Sequence, residues 1–213
     1  MRTYGFTYRK PFPVKPRVAV VSLVLFSALY LSFIPAFEQQ HLKYDVIRNG
    51  KIIGQLSSIK TTKNNVVEYR AESNVEVNVI FAIKIYTFVS GVFSNGQLTD
   101  GKIIRRVNGK DKANAHIYWS HDKYYIREEM KTKEFKDHIY YTTACLMNRE
   151  PLSLTRIFSE NYQKFLDIIQ VKPHQYKLSL PDGNYNYYTY TNGICTEAKI
   201  STTFSTAYFR LKK

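Results

Sequence analysis

The stretch Val75–Phe93, VEVNVIFAIKIYTFVSGVF, decides the fold class. Its apolar side chains share one parity, and polar residues such as Glu76 and Lys84 hold the other. Successive side chains of a strand point to opposite faces, so the pattern predicts a sheet with one dry face and one wetter face. Strands of globular proteins usually run about 3–10 residues, so we expect a strong bend or a break near Ile80. The apolar set comprises Val75, Val77, Val79, Phe81, Ile83, Ile85, Val89 and Phe93.

Turn signals divide the rest of the chain into similar runs. Six of the nine glycines follow Asn or Asp, a pairing that favours tight hairpins because both residues tolerate positive φ. The runs between them are rich in Val, Ile, Tyr, Thr and Phe, so the sequence predicts an antiparallel meander. The six dipeptides are Asn49-Gly50, Asn95-Gly96, Asp100-Gly101, Asn108-Gly109, Asp182-Gly183 and Asn192-Gly193.

Twelve strands are predicted on this basis. They are Leu42–Arg48, Lys51–Lys60, Val66–Val79, Phe81–Phe93, Gln97–Val107, Asn114–Ser120, Lys123–Met130, Lys136–Thr143, Gln175–Leu180, Tyr185–Thr191, Ile194–Ile200 and Thr203–Leu211.

One segment departs from the strand rhythm and predicts a short amphipathic helix. Ser159 is a suitable N-cap, and Pro173 follows the end. The apolar residues fall at i, i+3, i+4 and i+7, so they would form one stripe that packs on the sheet. This stripe consists of Tyr162, Phe165, Leu166 and Ile169.

The N-terminus has the pattern of a chain sent to or through a membrane. Five basic residues precede the apolar run Val18–Phe37, and no Asp or Glu occurs before Glu38. Two interpretations stay open. The segment is either a cleaved secretory signal ending near Ala36, or a retained anchor helix of about 30 Å with its basic flank in the cytoplasm. Both divide the chain into a signal or anchor, residues 1–37, and a β domain, residues 38–213, in the periplasm or cell envelope.

The charge is strongly basic but spread out. The net charge of +14 falls to +9 without the five basic residues of 1–36. The richest charged stretch, Arg127–Lys136, mixes both signs, which argues against a nucleic-acid-binding patch. A basic exported domain could contact anionic lipid headgroups or polyanionic surfaces, and the alternative is that the charges are simply spread over solvated strand faces.

Catalytic and metal signatures are weak. None of the five histidines lies in a zinc-binding pattern, so no metal or cofactor is predicted. Ser57-Ser58-Ile59-Lys60 matches Ser-x-x-Lys, but its companion motifs are missing and a strand would point Ser57 and Lys60 to opposite faces.

Cys145 and Cys195 would be free to form a disulfide in an oxidising compartment, and two buried thiols are the equal alternative.

Several short motifs resemble an uncharacterised bacterial envelope family, domain of unknown function 6134. They are Tyr44–Gly54, Phe93–Leu98, Asn108–Lys110 and the closing stretch from Leu180 to the last strand. Such domains look like distant relatives of the periplasmic lipoprotein-carrier fold, a curved antiparallel sheet with helices in its concavity. The resemblance implies that a helix at Ser159–Ile169 would cover the concave face.

These observations predict an all-β fold: a strongly curved meander sheet, half-barrel or open barrel, with one short amphipathic helix and a preceding N-terminal apolar helix. The first hypothesis is a non-enzymatic envelope protein that holds a lipid or other apolar ligand on the dry face, with Phe165 and Leu166 as a movable plug. The alternative is a membrane-anchored interaction or assembly protein with an envelope partner, and an envelope hydrolase is a third hypothesis. The candidate ligand-binding residues are Val77, Val79, Phe81, Ile83, Ile85, Trp119, Phe165 and Leu166.

Overall fold

The computed structural model describes residues 1–5, 37–78, 81–202 and 205–212. Residues 36–213 form one compact unit, and the described core draws its buried apolar residues from 44–198. Within the described residues no helix is long and apolar enough to cross a membrane. The predicted segment Val18–Phe37 lies outside the described residues, apart from Phe37 at the start of the first strand.

Fourteen antiparallel strands make one unclosed, curled sheet in the described part of the chain. The order β8-β7-β6-β5-β4-β3-β2-β1-β14-β13-β12-β11-β10-β9 is a continuous meander in which β1 pairs with β14. The strands are β1 Phe37–Arg48, β2 Lys51–Lys63, β3 Val66–Asn78, β4 Ala82–Ser94, β5 Gln97–Val107, β6 Lys110–Ser120, β7 Lys123–Glu128, β8 Lys131–Phe135, β9 Arg156–Ser159, β10 Lys164–Lys172, β11 Gln175–Ser179, β12 Tyr185–Thr191, β13 Ile194–Thr202 and β14 Ser205–Leu211.

The long apolar stretch forms a hairpin. β3 and β4 pair from Val66↔Ser94 to Asn78↔Ala82, so the chain reverses after Asn78. Every pair joins residues of equal parity, and one face therefore stays apolar through the reversal. Val75 lies opposite Ile85, and Val77 opposite Ile83. The predicted period-two pattern is confirmed, and so is the break between the two predicted strands Val66–Val79 and Phe81–Phe93; Ile80 itself lies outside the described residues.

The Asn-Gly dipeptides occupy the hairpin turns. At Asn49-Gly50 φ is +50° and +74°, and the other three Asn-Gly pairs have similar values. Asp100-Gly101 is different, because both residues lie inside β5 and Gly101 is buried. A dipeptide that favours a turn does not enforce one where the flanking residues continue the pairing.

The predicted amphipathic helix is wrong. Residues 159–169 form the end of β9, a turn in which Gln163 has φ +53°, and the first part of β10. Leu166 and Ile168 are buried two residues apart, whereas Ile169 is 51% exposed. The helical interpretation left Ile168 out of its apolar set, whereas the period-two alternation of a strand accounts for the burial of both Leu166 and Ile168. No α-helix occurs in the described residues.

The two edges of the sheet come together through side chains. Phe135 at the end of β8 stacks on Phe158 of β9 at 5.5 Å between ring centroids, and both meet the ring of Phe165 edge-on. The Gln163 amide donates to Glu128 at 3.0 Å. We call Phe135, Phe158 and Phe165 the aromatic seam. It joins the β8 edge to the β9 edge through side chains, without the backbone ladder that would close a barrel.

Residues 136–155, here the inner segment, fill one end of the curled sheet. The predicted strand Lys136–Thr143 is wrong: this part of the inner segment lies outside the sheet apart from a bridge from Thr142 to Phe158, because bends at Asp137 and Tyr140 interrupt it and Thr143 begins a 3-10 helix. Its carbonyls accept from the sheet: Ile139 from the Leu98 N–H at 2.8 Å, and Leu146 from the Tyr190 hydroxyl at 2.9 Å. A 3-10 helix, Thr143–Cys145, lies at its centre.

Strand direction separates two ends of the domain. The inner segment leaves β8 and enters β9 at the end that carries the Asn95-Gly96 and Asn192-Gly193 turns, which we call the plugged end. The opposite end carries the Asn49-Gly50 and Asn108-Gly109 turns, and we call it the mouth end.

Gly54 marks a close approach of β2 and β3. A Cβ added there would lie 2.1 Å from the Asn74 carbonyl oxygen and 2.8 Å from the Val75 Cα. Because both contacts are backbone, Gly54→Ala must displace a strand, and we expect a stability loss of about 3 kcal/mol. Gly101→Ala is the matched control, since its Cβ would meet no atom closer than 3.5 Å. Urea unfolding of both variants measures the difference, and equal losses would contradict the account.

Candidate ligand cavity

A cavity of about 510 Å³ occupies the concave face of the sheet between the inner segment and the mouth end. Register explains its apolar wall, because Val75 lies opposite Ile85 and Val89 opposite Ile103 on one face of β3, β4 and β5. Strands from the other half of the sheet complete it. The apolar lining residues are Val46, Ile53, Val75, Val77, Ile85, Val89, Ile103, Leu166, Leu178, Leu180, Ile200, Ala207 and Phe209.

A buried carboxyl group supports the floor. Thr143 and Ser159 line the cavity, and next to them Glu160 is fully buried. Its carboxylate accepts from the Thr143 N–H at 3.1 Å, from the Thr143 hydroxyl, and from the Ala144 N–H at 3.3 Å. Glu160 thus ties the β9–β10 turn to the 3-10 helix of the inner segment. Burial raises the pKa of Glu160, and these donors oppose the rise.

The charged lining residues lie toward the mouth. Arg48 is the last residue of β1, and Arg105 stands opposite Thr87 two residues before the end of β5. Asp182 belongs to the turn after β11. All three line the cavity together with Tyr162. Burial and the neighbouring charge of Asp182 raise the pKa of Tyr162, and the charge of Arg105 lowers it.

The sequence-predicted ligand residues are partly brought together. Val77, Ile85 and Leu166 line the cavity. Ile83 is half-buried but not part of the lining, Phe81 is 80% exposed, and Val79 lies outside the described residues.

Two further predicted aromatic liners contact other groups. Trp119 packs against Tyr124, with ring centroids 4.7 Å apart, and Phe165 belongs to the aromatic seam. Phe165 and Leu166 are therefore strand residues and not a plug; the inner segment fills the interior instead. Arg48 and Arg105 were not singled out, since nothing in the sequence distinguishes them from other strand arginines.

Both cysteines are buried free thiols in the structure, and not the bridge that the sequence allowed. Cys195 Sγ lies 3.4 Å from the Glu197 carbonyl oxygen, and Cys145 Sγ lies 3.9 Å from the Thr142 hydroxyl. Burial raises the pKa of each thiol to about 12, so neither is an activated nucleophile.

Comparison with solved structures supports the architecture. The chain is similar to the crystal structure of a β-barrel-like protein of domain of unknown function DUF1849 from Brucella abortus, with a TM-score of 0.52 and 9% sequence identity. The match covers 84% of this chain and 96% of the other. At this identity the likeness concerns the fold alone.

Sequence comparison gives the family. A search of curated proteins finds no match to this chain. The family model of the domain of unknown function DUF6134 matches residues 44–212, a range that contains all of the cavity lining described above. The chain belongs to the DUF6134 family.

Proposed function

We propose that this protein is a non-enzymatic cell-envelope protein that binds a lipid or other apolar ligand on the concave face of its sheet. The observation that carries the proposal is the cavity of about 510 Å³, walled by apolar side chains and reached from the mouth end. Its volume lies within the range of about 300–1,000 Å³ typical of small-molecule sites. The envelope location rests on the basic and apolar N-terminal sequence pattern.

Incomplete filling of the interior supports a ligand. The inner segment buries Ile139, Tyr141 and Leu146 at the plugged end, where the core is dense. Among the described residues no comparable segment covers the mouth end, and residues such as Val75 and Ile85 are only half-buried on the inner face. Apolar area removed from water contributes roughly 25 cal/mol per Å², so an apolar guest would gain free energy here.

The chemistry of the lining favours binding over hydrolysis. A hydrolase requires a nucleophile, a base and an oxyanion site that converge. The described lining offers Ser and Thr hydroxyls but includes no His or Cys to activate them.

Filling the cavity should abolish binding. Val75→Phe places an aromatic ring on the inner face of β3 in place of the smaller Val side chain. We expect the affinity for a fluorescent fatty acid and for its methyl ester to fall at least tenfold. Val66→Phe is the matched control, because Val66 lies on the same strand with the opposite parity and is 40% exposed. Fluorescence titration of the purified domain, residues 38–213, gives the affinities, and circular dichroism checks that both variants fold.

Native mass spectrometry of the same domain after expression in a bacterial periplasm tests for a natural guest. We expect a co-purifying lipid that lipid extraction removes. If no lipid co-purifies and neither probe binds to the wild-type domain, the proposed function is wrong.

A further inference from the structure

Two arginines interrupt the otherwise apolar inner face near the mouth. Arg48 and Arg105 are half-buried, and both side chains line the cavity. Along β4 and β5, Val89 and Ile103 lie two positions farther from the mouth than Thr87 and Arg105, and Leu166 and Thr143 line the cavity with them. The guanidinium groups therefore adjoin apolar wall that continues toward the plugged end.

Neither arginine has an acidic partner among the described residues, where no ion pair within 4.0 Å involves Arg48 or Arg105. Other strand arginines are paired: Arg106 pairs with Asp111 at 2.8 Å and Arg210 pairs with Glu197 at 2.8 Å.

The lining carboxylate is engaged within its own turn. Asp182 accepts from the Asn184 N–H at 3.1 Å and from its side-chain amide at 3.0 Å. These hydrogen bonds lower the pKa of Asp182, so it stays ionised without either arginine.

An unpaired guanidinium beside apolar surface is unfavourable, because it loses hydration and gains no counter-charge. An anion at the entrance would restore that interaction, and a guanidinium binds carboxylate or phosphate oxygens with charge-assisted hydrogen bonds. An apolar tail on the same molecule would extend toward Val89 and Ile103. One amphiphile would thus satisfy both parts of the cavity.

We propose that the cavity binds an anionic amphiphile, whose carboxylate or phosphate head is held by Arg48 and Arg105 and whose single apolar tail occupies the interior. This inference rests on the proposed function and narrows its ligand class. It requires the head group and the tail to be recognised together.

The head-group contribution is measured by comparing matched probes on the purified domain. Palmitate and hexadecyl phosphate should bind at least tenfold more tightly than methyl palmitate and hexadecanol, which share the tail but lack the charge. Inorganic phosphate alone should compete only weakly, because it has no tail. Raising the ionic strength should weaken the charged probes and leave the neutral ones unchanged.

Single substitutions assign the effect to the arginines. We expect Arg48→Gln and Arg105→Gln each to lower palmitate affinity about tenfold, with little change for methyl palmitate. Lys102→Gln is the matched control, since Lys102 is exposed on the same strand as Arg105. This substitution also removes one positive charge. Thermal unfolding of every variant verifies folding, and Arg105→Lys should recover part of the affinity.

The outcomes separate the two proposals. If the wild-type domain binds charged and neutral probes equally, or if the arginine variants weaken both kinds of probe alike, the inference is wrong and the proposed function stands. If palmitate affinity falls as much in Lys102→Gln, the effect is general electrostatics and the inference is again wrong. If none of the probes binds, the proposed function itself fails.

Discussion

Phe158→Ala should destabilise the domain by about 3–5 kcal/mol, the usual cost of truncating a buried aromatic residue. Phe158 is 1% exposed and contacts the rings of both Phe135 and Phe165. Since Phe135 ends β8 and Phe158 lies on β9, the variant removes the stacked contact between the two edge strands as well as core volume, and leaves only the edge-on contact between Phe135 and Phe165 in the aromatic seam. Urea denaturation measures the loss, and Phe88→Ala, a half-buried ring on the outer face of β4, should lose clearly less.

Hydrogen exchange distinguishes an opened seam from a general loss of stability. In Phe158→Ala the amides of β8 and β9 should exchange faster than the global destabilisation accounts for, because no backbone ladder joins these strands. The amides of β3 and β4, which pair along their full length, should follow global unfolding. Uniform acceleration across all strands would show that the seam does not hold the edges together.

The meander was predictable because its signals are local. Gln97–Val107 and Tyr185–Thr191 agree with the observed strand bounds at both ends. Each run follows or precedes an Asn-Gly turn, and its side-chain parity alone decides which face is buried. Such patterns require no knowledge of distant residues.

The interior was not predictable, because its partners are remote in sequence. Ile139 and Tyr141 are buried while Tyr140 is exposed, so the inner segment carries the same alternation as a strand. Only the tertiary fold directs its carbonyls to hydroxyls such as that of Tyr44, which donates to Met147 over 103 positions. That Arg48 and Arg105 line the same cavity depends in the same way on how far the sheet curls.

The helical stripe failed for a related reason. Tyr162 precedes the left-handed residue Gln163, so it belongs to a turn, whereas Phe165 and Leu166 begin β10. Four apolar residues within eight positions fit both periods, and the neighbouring strands decide between them. Burial of Ile168 at 0% exposure is the observation that resolves the choice.

Glu160→Ala should lower stability by about 3 kcal/mol, because it leaves the buried Ala144 N–H and the half-buried N–H and hydroxyl of Thr143 without their acceptor. An unsatisfied buried donor costs about 1–3 kcal/mol. Asp167→Ala is the control, since Asp167 is exposed on β10 and its removal changes the charge equally. Loss of the floor should also weaken palmitate binding in Glu160→Ala but not in Asp167→Ala.

The pH dependence of this variant tests the buried state of the carboxyl group. Burial raises the folded-state pKa of Glu160 above the ordinary value of 4.5, so the folded domain retains a proton that the unfolded chain releases. The contribution of Glu160 to stability is therefore full below about pH 4.5 and declines as the pH rises through the folded-state pKa. Wild-type and Glu160→Ala unfolding free energies should differ most at low pH, and the difference should shrink as the pH increases. A difference that instead grows with pH would mean that Glu160 is held as an ionised cap, with its donors outweighing burial.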